Sequence, residues 1–143
     1  MSLWLSSGAF KTRDLEQMLS AARTHGLNNI ELSSGMAYHP ETQSLLNKEM
    51  ERGTLNFLVH NYFPAPSTPF VLNIASLDPE GLRETQLFGA EAVKLAGKLG
   101  APFYSIHAGF AANLRPEHLG QPGHLADVLT ADDIDREKAY KVM

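Results

Sequence analysis

The feature that most constrains this chain is a repeated alternation. A short apolar run is followed by a longer stretch whose apolar residues recur at helical spacing, and a glycine ends the unit. Leu3 to Leu5 is the first apolar run, and Ser7-Gly8 turns the chain away from it. Leu15, Met18, Leu19 and Ala22 then fall three and four apart, one face of a helix, with Thr12 as its N-cap and Gly26 placed for a left-handed C-cap. Asn29 to Leu32 predicts a second strand. Pro40 opens a second helix, whose Leu45, Leu46 and Met50 face the core before Gly53 closes it. Leu55 to Val59 is apolar almost throughout, as in a strand covered on both faces, and His60 stands at its C-terminal end.

A loop of about twenty residues follows, long enough to imply a role of its own. It carries Pro64, Pro66 and Pro69, and Phe70 to Ile74 within it predicts a short extra strand. Asp78-Pro79-Glu80 starts a third helix, with Asp as cap and Pro at the first helical position; Phe88, Ala92, Leu95 and Leu99 form its apolar face and Gly100 stops it. Phe103 to Ile106 predicts the fourth strand, ended by His107. After a second long loop, the capping-box spacing of Thr130 and Asp133 predicts a final helix.

Strand and helix alternating through short connections predict a parallel sheet wrapped by helices, either closed as a barrel or open and doubly wound. In both, function gathers at the C-terminal ends of the strands. No G-x-G-x-x-G follows the first strand, and Gly97-Lys98 is followed by Leu99 rather than Ser or Thr, so the phosphate-binding loops of the open nucleotide-binding type are missing. The expected fold is α/β of the (β/α)8 TIM-barrel type, in a single domain over 1–143. A complete barrel needs about 250 residues, and about four β/α units are present. Half a barrel is therefore expected, either truncated or paired as a homodimer that covers the open edges of its sheet.

Composition narrows the chemistry. With 143 residues, 43% of them hydrophobic, the chain can bury a real core. It has no cysteine, which removes disulfides, thiol nucleophiles and cysteine-held metals, so any metal must be held by His, Asp or Glu. A net charge of -4 gives no general attraction to nucleic acid, and among the rim loops only Lys11, Arg13 and Arg115 are basic. The N-terminus lacks a basic n-region, and no run approaches the roughly 20 apolar residues of a membrane span. A cytoplasmic protein without membrane partner is expected.

Of the six histidines, His25, His39, His118 and His124 read as surface or hydrogen-bonding residues. His60 and His107 differ, because each follows an apolar strand at the functional rim, on strands expected to be neighbours. Imidazole is the commonest metal ligand, and carboxylates complete such shells. Glu31, at the end of the second strand, points into a barrel as a base or hydrogen-bonding partner, or pairs with a Lys or Arg.

His60-Asn61-Tyr62, then Phe70-Val71-Leu72-Asn73-Ile74-Ala75-Ser76-Leu77-Asp78-Pro79 leading into Leu82-Arg83-Glu84, resembles the third-strand region of the xylose-isomerase-like barrels. Leu99-Gly100-Ala101 and Ser105-Ile106-His107-Ala108-Gly109 resemble their fourth strand. The resemblance covers essentially the whole chain, as the N-terminal half of such a barrel. It implies a divalent metal (Zn, Mn, Mg or Co) at the barrel mouth with His60 and His107 as ligands, and a sugar or sugar-phosphate isomerase or epimerase in which the metal polarises a carbonyl during proton transfer. Tyr62 and Asn73 would touch a hydroxylated substrate or satisfy loop backbone. In relatives the decisive carboxylates come from the fifth and later strands, so this chain alone is expected to be inactive. Two alternatives stand: an endonuclease IV-like phosphodiesterase, or a non-catalytic half-barrel that dimerises and binds a ligand. Phe63 to Pro69 intervene between the histidine and the Asn73 stretch, and the fourth strand ends His-Ala-Gly rather than His-Pro-Gly; both depart from the nuclease type.

Overall fold

In the computed structural model the described residues are 2–112 and 114–118, with positions 137 and 141; His124 and the helix expected from Thr130 lie outside them. Four parallel strands lie side by side in chain order: β1 (Leu5–Ser6), β2 (Asn29–Leu32), β3 (Asn56–His60) and β4 (Tyr104–Ser105). Helices α1 (Leu15–Thr24), α2 (Thr42–Arg52) and α3 (Pro79–Lys98) connect them in turn. The mixed α/β class with a sequentially ordered parallel sheet is the one the alternation predicts. Among the described residues no helix is long and apolar enough to cross a membrane.

The chain divides into two compact units: Met1–Ser67 with Glu91–Ile106, and Thr68–Ala90 with the described residues from His107 on. The first holds the whole sheet and its core. Leu15, Met18, Leu19 and Ala22 of α1, Leu45 and Leu46 of α2, and Leu95, Ala96 and Leu99 bury against Ile30, Leu32, Phe57 and Val59 of the sheet. Burying a side chain of this size stabilises by about 1.5–3 kcal/mol, so this apolar layer is the main source of stability. In the second unit Leu72, Ala75, Thr85 and Ala112 are buried, and the rings of Phe70 and Phe88 meet edge to face at 5.3 Å.

The glycine stops behave as expected. Gly26, Gly53 and Gly100 have φ of 64°, 66° and 68°. At Gly26 the chain closes as a Schellman turn: Leu27 N–H donates to the Ala22 carbonyl at 2.9 Å and Gly26 N–H to that of Arg23 at 3.1 Å.

Several local expectations are corrected. Asp14, not Thr12, caps α1, its carboxylate accepting from Gln17 N–H at 2.8 Å, because the first helical residue is Leu15. Thr12 instead accepts from Asp14 N–H at 3.1 Å. Pro40 lies outside α2, which begins at Thr42. His39 steadies that entry, its Nδ1 accepting from Glu41 N–H at 3.1 Å and its carbonyl from the Thr42 hydroxyl at 2.8 Å. Met50 is 38% exposed and Glu49 is buried in its place, since Arg23 and Arg52 both donate to Glu49 Oε1 and neutralise it. Phe70 to Ile74 forms no strand, because Asn73 N–H goes to the Thr85 hydroxyl rather than into a ladder.

Candidate functional site

Alternation within the strands decides which side chains meet. Ile30, Leu32, Phe57 and Val59 point into the helix-covered core. Their neighbours must therefore point to the other face. In register, Ser6 stands beside Glu31, Glu31 beside Leu58, and His60 beside Ser105. Ser6, Glu31, His60 and Ser105 thus share the face away from the helices. Within that row Glu31 and His60 are one diagonal step apart toward the C-terminal ends of β2 and β3, a spacing of about 7–8 Å between backbones. A carboxylate and an imidazole at that spacing can hold one small ligand or hand a proton across it.

The rim around this pair is fixed by hydrogen bonds. Where β1 and β2 end, Ser6 and Ser33 hydroxyls lie 2.7 Å apart, and the fully buried Ser7 hydroxyl accepts from Ser33 N–H at 2.9 Å. Just past His60, Asn61 adopts φ 49°, a left-handed conformation that asparagine tolerates better than most residues. Its N–H donates to the Ser105 carbonyl at 2.7 Å, and its own carbonyl accepts from the Tyr104 hydroxyl at 2.7 Å. The backbone just past His60 is therefore pinned at both the N–H and the carbonyl of Asn61. Burial pushes the Tyr104 hydroxyl up to about 12, with the charge of Tyr62 adding to the shift, so Tyr104 is held as the neutral donor this contact needs. At the opposite end of the strands Asn56 donates to Asn29 Oδ1 at 2.9 Å, and Asn29 to the Leu3 carbonyl at 3.1 Å.

Of the residues picked from sequence, Glu31 and His60 come together on one face, and Tyr62 lies two residues beyond His60, near enough to act on Tyr104. His107 follows β4 by two residues rather than ending it, is exposed, and belongs with Asn73 to the second unit. Asn73 is 3% exposed and its amide is bonded to backbone. Among the described residues no three His, Asp or Glu side chains are grouped to hold a metal. Sequence reading missed Asn61 and Tyr104. An asparagine directly after an apolar strand is the one cue to the first; the second depends on a contact across 43 residues.

A groove of about 830 Å³ lies within the second unit along the first turns of α3. Arg83 and Arg115 share its wall with Asp78, Glu80 and Glu84, so it presents no single sign of charge to a ligand.

No family profile and no curated protein matches the chain. Among solved structures it is similar to the TTHB071 protein from Thermus thermophilus, soaked with ZnCl2, at 24% identity and a TM-score of 0.51. The match covers 80% of this chain and 42% of that one, so this chain spans less than half of its neighbour. At that identity the likeness is one of fold.

Proposed function

We propose that the chain is the N-terminal half of a xylose-isomerase-like (β/α)8 barrel that isomerises or epimerises a sugar or sugar phosphate with a divalent metal. The observation that carries this reading is the placement of Glu31 and His60 on one sheet face, near the C-terminal ends of adjacent parallel strands. That is where barrel enzymes hold their reacting groups. The sequential strand order, with β1 and β4 at the outer edges, fits half of a closed sheet whose other half is further β/α units or a second copy of the chain.

The donors fit the metal in kind and fall short in number. His60 offers one imidazole nitrogen, with His107 proposed as a second because it follows Ser105, the register partner of His60, by two residues. A catalytic metal takes about three protein ligands, so further carboxylates belong to strands beyond β4. A divalent cation held there would supply polarisation of the substrate's carbonyl oxygen. Glu31 takes or returns the proton at the neighbouring carbon, a role suited to a carboxylate held on a strand rather than on a loop. Tyr62 is a hydroxyl partner for the substrate.

The neighbour supports this reading through its fold alone. The test is the zinc retained by the purified chain after loading and dialysis, in wild type, His60→Ala and His107→Ala. Loss in both variants is expected; unchanged zinc in both refutes the ligand assignment.

A further inference from the structure

We infer that Asn73 is the positioning residue of the segment that carries His107, with Gly109 as its obligate counterpart. The inference deepens the proposed metal-site reading by naming what sets one of its ligands in place.

The side chain of Asn73 binds the backbone at three residues. Its Oδ1 accepts from Ala75 N–H at 3.1 Å and from Phe110 N–H at 2.9 Å. Its Nδ2 donates to the carbonyls of Phe110 at 2.8 Å and Ala112 at 3.4 Å. A carboxamide has two donor hydrogens and two acceptor lone pairs, and all four are used here. None remains to recognise a substrate. The pairing with both N–H and C=O of Phe110 is what a neighbouring strand residue would make, delivered by a side chain 37 positions away in sequence. Asparagine alone among side chains of this length offers donor and acceptor side by side. The anchor is itself held: Asn73 N–H donates to the Thr85 hydroxyl of α3 at 3.0 Å, and Thr85 is 1% exposed.

Gly109 shows how closely the two segments lie. It has φ +104°, and a Cβ added there would fall 2.1 Å from Asn73 Oδ1 and 2.9 Å from Asn73 Cα. The second contact is with backbone, so no side-chain rotation relieves it. The path of the chain at 109–112 is thereby set by Asn73, and His107 lies two residues upstream of the tie.

The test reads the His107 Cε1–H resonance of the full chain by NMR, with His25 as an internal control and circular dichroism to confirm folding. Asn73→Ala and Gly109→Ala should split or broaden the His107 line, leave His25 unchanged, and abolish exchange protection of the Phe110 N–H. Zinc affinity should fall about ten- to a hundredfold, as for other residues that orient a ligand. In an Asn73→Ala/His107→Ala double variant the loss should equal that of His107→Ala alone, which a general loosening of the fold would not produce. A single, unshifted His107 line in both variants overturns the inference. Should those two fail to fold, Asn73→Asp decides. It keeps the acceptor for Ala75 and Phe110 but turns a carboxylate oxygen toward two carbonyls, so an unchanged His107 line there also overturns it. If wild type binds no zinc, the metal reading fails, while the His107 line still decides the positioning role.

Discussion

Raising the pH from 8 to 11.5 should cost this protein stability through Tyr104. Its hydroxyl is pushed up to about 12 by burial, and the contact with the Asn61 carbonyl requires the protonated phenol. In the unfolded chain the same group titrates near its ordinary value of 10. Because the folded value is the higher, the contribution is complete below pH 10 and is lost as pH rises from 10 to 12. Up to pH 11.5 about 1.5 of these two units are crossed, which corresponds to about 2 kcal/mol. Tyr104 is only half-buried, so solvent screens part of this, and about 1 kcal/mol is expected to survive. Urea unfolding followed by Trp4 fluorescence, at both pH values and in wild type and Tyr104→Phe, isolates it. The variant should lose about 1 kcal/mol at pH 8 with its hydrogen bond. Its further loss at pH 11.5 should then be smaller than that of wild type by about 1 kcal/mol. Equal losses on raising the pH would refute the argument.

Two further substitutions probe the helical layer. Glu49 is buried with Oε1 shared by Arg23 and Arg52 and Oε2 without a protein partner. Glu49→Met, which removes the desolvated carboxylate and keeps its volume, should be neutral or stabilising by about 1 kcal/mol, whereas Glu49→Ala should cost about 2 kcal/mol, read as thermal midpoints. Asp14→Ala should cost about 1 kcal/mol through the lost cap on α1, and Asp14→Asn almost nothing, by urea titration.

What the sequence disclosed and what it hid differ by the range of the interaction involved. Gly26, Gly53 and Gly100 were legible because a left-handed residue at a helix end is a local requirement of the backbone. The strand positions of Glu31 and His60 were legible because a short apolar run bounded by polar residues is a local signal too. The inward place of Glu49 was not, since a charged residue at Leu45 plus four reads as surface until Arg23, 26 residues away, is known to reach it. The apolar stretch at Phe70 to Ile74 carries the composition of a strand, but the destination of its backbone hydrogen bonds is settled by Thr85. Asn73 had the residue type for a substrate contact; only the distant Phe110 and Ala112 reveal how its amide is used.

The measurement that tests the central claim most directly is a zinc titration of the 15N-labelled chain, following the imidazole nitrogens of its histidines. The account predicts that His60 and His107 shift together and saturate near about one zinc per chain. His39, whose Nδ1 is engaged by Glu41, and His25, at the end of α1, should stay in place. Shifts at neither His60 nor His107, or equal shifts at every histidine, would contradict it.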